Sequence, residues 1–137
     1  MLRYITTAAV AAALLACAPA LAQPATPLGV WRTASGNLDV EIAPCGAALC
    51  GRAVKVLANH SMAAGQVQKA PPPQVGLMVL TGVRPARPGV WKGRLYNREN
   101  GKTYDCLVEP LGSDAIKLRA YVLIPLFGKD QVWRRTR

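Results

Sequence analysis

Apolar and polar residues alternate in short segments along the chain from about residue 29 to its end. Alternation with a period of two, interrupted by Gly, Pro, Asn and Ser, predicts β-strands joined by turns. The predicted strands are Gly29 to Thr33, Leu38 to Ala43, Cys50 to Leu57, Leu77 to Val83, Val90 to Tyr96, Lys102 to Glu109, Ala115 to Leu123 and Asp130 to Thr136. Eight consecutive strands with mostly tight turns indicate an all-β fold, a single eight-stranded antiparallel meander barrel.

The alternation also assigns side chains to the two faces of the barrel wall. On the second strand it predicts that Asp39 and Glu41 point outward, and on the seventh that Lys117 and Arg119 do so. The residues predicted to point inward on these strands are Leu38, Val40, Ile42, Ile116, Leu118, Ala120 and Val122. A wall with one apolar face is typical of a small barrel.

The fifth and sixth strands flank Asn100-Gly101, a dipeptide that favours a two-residue hairpin turn. Such a turn would place Leu95 opposite Cys106, with Trp91 and Val108 on the same inward face. Cys106 is therefore predicted to be a buried, unreactive thiol.

Cys45 and Cys50 lie on either side of another predicted hairpin turn, and we expect them to form a disulfide. Their Cys-x4-Cys spacing differs from the Cys-x-x-Cys of thiol oxidoreductases, so the bridge is interpreted as structural. Disulfides persist in oxidising compartments, which favours a periplasmic or secreted protein.

The first 22 residues resemble an export signal, with Arg3, an uncharged apolar run and the small-x-small sequence Ala20-Leu21-Ala22. Cleavage after Ala22 would leave residues 23–137 as one β-barrel domain without a transmembrane span, and the apolar run is in any case too short to span a bilayer as a permanent helix. A second interpretation treats Leu14-Leu15-Ala16-Cys17 as a lipoprotein box with Cys17 as the lipidated residue. The connection over residues 58–75, with its Pro71-Pro72-Pro73 run, is the longest and is either a flap over a site or disordered.

The net charge of +10 makes anionic envelope components candidate partners. Aromatic residues form only 6% of the chain, too few for the stacking platforms of single-strand nucleic-acid binders, so no specific nucleic-acid partner is expected. His60 is the sole histidine and has no neighbours at metal-ligand spacing, and no serine lies in a Gly-x-Ser-x-Gly elbow. We therefore expect no metal, no cofactor and no catalytic residues, and interpret the protein as non-enzymatic.

Several motifs, in order along the chain, resemble a bacterial exported family known as domain of unknown function 2147. They are Gly29-Val30-Trp31, Ile42-Ala43-Pro44-Cys45-Gly46 with Leu49-Cys50-Gly51, Leu80-Thr81-Gly82, Gly93-x-x-Tyr96-Asn97 followed by Asn100-Gly101-Lys102-Thr103-Tyr104, and Leu126-Phe127-Gly128 with Gln131, Trp133 and Arg135. The resemblance implies a small lipocalin-like barrel with no established activity. A Gly-x-Trp on the first strand with arginine on the last is also similar to the way lipocalins close the barrel base, here Trp31 under Arg134 or Arg135.

Two functions from different classes remain open at this point. In the first, the barrel binds a small apolar or amphipathic ligand in its interior. The residues predicted to line that interior are Trp31, Trp91, Leu95, Tyr104, Val108, Leu118 and Val122. In the second, the barrel is filled by side chains and its basic exterior binds a protein or the envelope surface, because an eight-stranded barrel is at the size where either interior occurs.

Overall fold

A computed structural model of the protein describes residues 9, 11–18, 25–61 and 72–137. The expected cleavage site after Ala22 and the middle of the 58–75 connection lie outside these residues. Cys17 is described and is exposed.

Eight antiparallel strands form a closed barrel in which each strand pairs with its neighbours in sequence and β8 pairs with β1. This confirms the predicted fold class. The strands are β1 (Gly29–Arg32), β2 (Leu38–Cys45), β3 (Ala48–Val56), β4 (Met78–Arg87), β5 (Val90–Asn97), β6 (Lys102–Leu111), β7 (Ala115–Tyr121) and β8 (Lys129–Arg135). A 3₁₀ turn, Pro125–Phe127, lies between β7 and β8.

Up-and-down connectivity gives the barrel two distinct ends. The closed end is defined as the end that carries the β2–β3, β4–β5 and β6–β7 turns, together with the start of β1 and the end of β8. The open end is the opposite one, which carries the β1–β2, β3–β4, β5–β6 and β7–β8 connections. All three turns at the closed end are short, whereas the open end carries the long 57–77 connection and the 3₁₀ turn.

The β5–β6 hairpin has a different register from the predicted one. Leu95 pairs with Tyr104, and Cys106 pairs with Gly93. The loop has four residues because Asn97 folds back over it: its side-chain oxygen accepts from the Glu99 N–H at 2.9 Å, and its backbone oxygen accepts from Gly101 N–H at 2.8 Å. A shift of two residues keeps every side chain on its predicted face, so Cys106 is still inward.

The half of the barrel toward the closed end is filled by packed side chains. Its fully buried residues include Trp31, Val40, Ile42, Leu80, Val83, Val108, Ile116 and Leu118. Gly93, which faces inward, allows close packing at this level: a Cβ at this position would lie only 2.7 Å from Val83 Cγ2. This half of the interior therefore has no room for a ligand.

The burial of two residues differs from what their predicted faces imply. Val122 is 61% exposed, since β7 ends at Tyr121 and the chain leaves the wall there. Asp39 shares the outer face with Arg32 yet is buried, because Arg32 Nε and Nη2 donate to its two carboxylate oxygens at 2.9 and 3.1 Å. The same carboxylate raises the pKa of Arg32 through the hydrogen bond and its charge.

Arg135 closes the base of the barrel over Trp31. Its guanidinium carbon lies 4.2 Å from the centroid of the Trp31 ring, a cation–π arrangement, and Trp31 Nε1 donates to Pro27 O at 2.8 Å. Arg135 Nη1 also donates to Leu28 O at 3.2 Å, through the space that a Cβ on Gly29 would fill. The Gly-x-Trp motif thus has a steric reason: glycine admits the arginine that covers the tryptophan. Arg134 is exposed.

The predicted disulfide joins Cys45 and Cys50 across the β2–β3 hairpin, with a Cα–Cα distance of 5.5 Å. The strands continue closer to the turn than predicted, leaving only Gly46 and Ala47 between them. Gly46 takes a positive φ of 65°, as such a tight turn requires. The bridge therefore pins one turn of the closed end.

Candidate functional site

A cavity of about 700 Å³ occupies the half of the barrel toward the open end. This volume lies within the range of small-molecule sites. Its walls come from Thr33, Ser35, Asn37, Leu38, Val79, Leu95, Tyr96, Asn97, Arg98, Glu99, Asn100, Tyr104, Ala120, Tyr121, Val122, Phe127, Lys129, Asp130, Gln131 and Trp133. The barrel is therefore half filled and half hollow, a combination of the two interiors considered from the sequence.

The deep part of the cavity is apolar. Leu38, Val79, Leu95 and Trp133 are buried and belong to the same cluster as the packed core beneath them. They reach the cavity because β2, β4, β5 and β8 each direct an inward residue to the same level above that core. A ligand resting there would meet hydrocarbon and the indole ring.

Polar groups fix the side walls above this apolar floor. Trp133 Nε1 donates to Gln131 Oε1 at 2.8 Å, and Asn100 Nδ2 donates to the Tyr104 hydroxyl at 2.8 Å. Both bonds orient the side chains that make them without a ligand present. Preorganised polar groups above an apolar floor are what an amphipathic molecule requires.

The start of the long β3–β4 connection is fastened to the rim. The side chain of buried Asn37 makes two backbone bonds to His60, donating to its carbonyl and accepting from its N–H, each at 2.8 Å. Ser61 Oγ lies 3.5 Å from Glu99 Oε2 on the β5–β6 loop. Residues 57–61 thus lie along the mouth of the cavity, bound to two of its loops.

Cations stand at the mouth. Lys129 on β8 pairs with Ala120 on β7. Because side chains alternate along a strand, Lys129, Gln131 and Trp133 lie on the same face of β8, which lines the cavity. Arg98 contributes a second cation from the β5–β6 loop. Asp130, the neighbouring carboxylate, accepts from Arg119 Nη1 at 2.8 Å on the outer face. With Glu99 also in this lining, the mouth is charged and polar, and it is suited to a polar head group.

Cys106 marks the boundary between the hollow and the packed half. It lies one inward position below Tyr104, pairs with Ala120, and is fully buried. Burial raises the pKa of the Cys106 thiol to about 12, against a weaker opposing effect of the Arg119 backbone. Cys106 therefore lies outside the lining of the cavity.

The structure divides the residues that the sequence predicted as ligand-lining. Leu95, Tyr104 and Val122 line the cavity. Trp31, Val108 and Leu118 lie in the packed core below it, and Trp91 packs against that core from a partly buried position. Alternation identified which residues face inward but carried no information about which end is hollow.

Several lining residues were absent from that set, among them Lys129, Gln131 and Trp133 on β8. The sequence contains a signal for these three residues, because side chains two positions apart on a strand share a face. If Arg135 at the base of β8 points inward, then Trp133, Gln131 and Lys129 do so as well. The rim contact between Asn37 and His60, 23 residues apart, leaves no such signal.

Within the described part of the chain, no group of three or more His, Cys, Asp or Glu side chains is placed to hold a metal ion. No helix among residues 9, 11–18, 25–61 and 72–137 is long and apolar enough to cross a lipid bilayer.

Comparison of the sequence with protein families identifies one match, over residues 29–135, to the family described as "uncharacterized protein conserved in bacteria" (DUF2147). The chain belongs to this family. The match spans β1 to β8, so the DUF2147 region and the barrel coincide. No curated protein sequence matches the chain significantly.

Among solved structures, this DUF2147 barrel is similar to protein HP1028 from Helicobacter pylori, which is described as belonging to the lipocalin family. The TM-score is 0.60 with 18% sequence identity, over 80% of this chain and 82% of that one. At this identity the likeness concerns the fold, which is a lipocalin-like barrel.

Proposed function

We propose that the protein is a non-enzymatic binding module that holds a small amphipathic molecule in the open half of its barrel. The observation that carries the proposal is the cavity of about 700 Å³ above a packed base, apolar at its floor and polar at its mouth. An apolar chain would rest on Leu95 and Trp133, and its head group would lie near Lys129. A lipocalin-like fold supports the same assignment.

We further propose that the protein works outside the cytoplasm, in the bacterial periplasm or beyond it, after removal of residues 1–22. The Cys45–Cys50 disulfide and the bacterial family support this address. A diacyl anchor on Cys17 is the alternative processing, and the intact mass of the exported protein distinguishes the two products.

The direct experiment is native mass spectrometry of the protein purified from its host, followed by denaturation to identify any released molecule. We expect a near-stoichiometric small amphiphile. An apo mass alone, together with no binding of the fluorescent fatty acid cis-parinaric acid, would contradict the proposal.

Two variants locate the site. Ala120→Phe places a ring in the cavity and should abolish binding of cis-parinaric acid, whereas Ala47→Phe, in the exposed turn at the closed end, should leave it unchanged. Lys129→Gln should weaken binding by about tenfold, the value of one charge-assisted contact to a carboxylate. Equal binding by Ala120→Phe and the parent protein would place the ligand elsewhere.

A further inference from the structure

The connection between β7 and β8 presents a row of apolar side chains to solvent. Leu123 is 89% exposed, and Leu126 and Phe127 are each 75% exposed, with Val122 and Ile124 beside them. Soluble proteins scatter single exposed apolar residues over their surfaces, whereas a contiguous group of five marks an interaction site.

The distribution of such residues over the barrel is uneven. Among residues 25–61 and 72–137, only Leu28 and Leu111 are exposed large apolar residues at the closed end. At the open end they are Val56, Leu57, Val75, Val122, Leu123, Ile124, Leu126 and Phe127. The apolar surface therefore surrounds the mouth of the cavity.

The apolar connection is held in place by its backbone. Arg119 Nε donates to Pro125 O at 2.6 Å and Nη2 to Leu126 O at 3.3 Å, while Nη1 binds Asp130. Gly128 lies so close to β7 that a Cβ there would be 2.8 Å from Ala120 O. The backbone of this connection is thus fixed against the barrel wall. Val122 and Phe127 border the mouth of the cavity, whereas Leu123 and Leu126 lie outside its lining and are exposed.

Leu123 adds an independent observation. It has a φ of 69°, the left-handed region, where a leucine costs about 1 kcal/mol more than a glycine. Glycine or asparagine would fit that backbone better and would be more soluble. Neither the local conformation nor packing within the barrel accounts for a leucine here, which indicates that its side chain is used outside the barrel.

The charges around these residues identify the partner. Lys129 follows the connection directly, Asp130 beside it is paired with Arg119, and Lys102 begins β6 next to the neighbouring β5–β6 loop. A convex apolar tip bordered by cations matches the interface of an anionic bilayer, into which the apolar side chains insert while the cations meet the head groups.

We infer that residues 122–127 form a tip that inserts reversibly into an anionic lipid surface, holding the mouth of the cavity against the bilayer. Burial of each leucine or phenylalanine strengthens binding by about tenfold or more. Leu123 and Leu126, which do not line the cavity, carry this binding whether or not the cavity holds a ligand.

The test is flotation of the purified protein with vesicles of phosphatidylglycerol and phosphatidylethanolamine in equal amounts, compared with phosphatidylcholine alone. We expect flotation with the anionic vesicles, weakened by added salt. Leu123→Asp and Leu126→Asp, at exposed residues outside the cavity lining, should each reduce binding by about tenfold or more, whereas Leu111→Asp, at a leucine 42% exposed at the closed end, should leave it unchanged. Because all three sites are exposed, thermal unfolding of the variants should match the parent protein.

A tryptophan reporter gives a second readout. In Leu123→Trp the added indole should shift its emission to the blue on anionic vesicles and be quenched by brominated lipid, relative to the parent protein. Three results would overturn the inference. The parent protein could fail to bind vesicles, or the Asp variants could bind as well as the parent protein, which would point to a lipid anchor on Cys17. The Asp variants could also lose self-association while they keep vesicle binding, which would show that a second copy of the chain occupies this surface. Loss of cis-parinaric acid binding alone would concern the proposed ligand and not the tip.

Discussion

The two ends of this barrel are built from the same eight strands and differ in almost every other respect. At the closed end, Arg135 lies over Trp31, a disulfide pins the β2–β3 turn, and the terminal strand is bonded back to β1 through Thr136 N–H and Val30 O at 2.8 Å. At the open end, the interior is hollow and the exposed apolar side chains collect around the mouth.

The difference shows how a small barrel can be stable and still keep a cavity. Hydrophobic burial is concentrated in the closed half, where Trp31 and its neighbours have no contact with solvent. The open half is then free of most of the packing requirement, and its side chains can be polar, cationic or exposed. Regions that bind ligands are commonly the less stable parts of a fold for this reason.

The largest expected effect separates the ends by stability. Trp31→Ala should lower the free energy of unfolding by about 3–5 kcal/mol, because it leaves a void in the packed half and removes the ring under Arg135. Phe127→Ala, at the open end, should change it by less than about 0.5 kcal/mol. Denaturant unfolding measures both, and a comparable loss in the two variants would remove the distinction between the ends.

A smaller effect locates the boundary between the halves. The buried Cys106 thiol keeps its proton to about pH 12, whereas the unfolded chain loses it near pH 9. Because the unfolded state then binds fewer protons, Cys106 stabilises the fold fully below pH 9, and this contribution falls by about 1.4 kcal/mol per pH unit between the two values. The free energy of unfolding of the parent protein should therefore decline more steeply above pH 9 than that of Cys106→Ala.

Alkylation checks the same boundary. Iodoacetamide at pH 9 should leave Cys106 unmodified in the folded protein and modify it in denaturant. Rapid modification of the folded protein would mean that solvent in the cavity extends down to Cys106.

The smallest effect concerns the disulfide. Replacing Cys45 and Cys50 together by Ser should lower the free energy of unfolding by about 2 kcal/mol, since the loop that the bridge closes is short. Binding of cis-parinaric acid should persist, because the bridge lies at the end remote from the cavity. Loss of binding in a variant that still folds would show that the closed end controls the open one.

Local sequence was sufficient for the walls of the barrel. The alternation along β2 and β7 predicted Val40, Ile42, Ile116 and Leu118 as inward residues, and all four are buried. It failed where a polar side chain changed the backbone path: Asn97 lengthened the β5–β6 loop to four residues and moved the register by two. The preference of Asn100-Gly101 for a two-residue turn is a local property, and it does not indicate that the Asn97 side chain forms a hydrogen bond which favours a longer loop.

The candidate site was only partly accessible in the same way. Of the residues predicted to line the interior, Leu95 and Tyr104 lie on the cavity wall, whereas Trp31 and Val108 share their face but lie in the packed half. Inward direction is a property of single strands, which the period of two reveals. Depth along the barrel axis depends on how all eight strands are staggered.

The sequence by itself determined the fold class, the disulfide and the family, because alternation, turn residues and cysteine spacing act over a few neighbouring residues. Only the tertiary structure decided that the barrel is hollow at one end. It did so because residues distant in sequence pack together there: Arg135 lies over Trp31, and Val83 packs against Gly93. It also brought the apolar 122–127 connection and Lys129 to the mouth, where together they define the surface on which the protein is proposed to act.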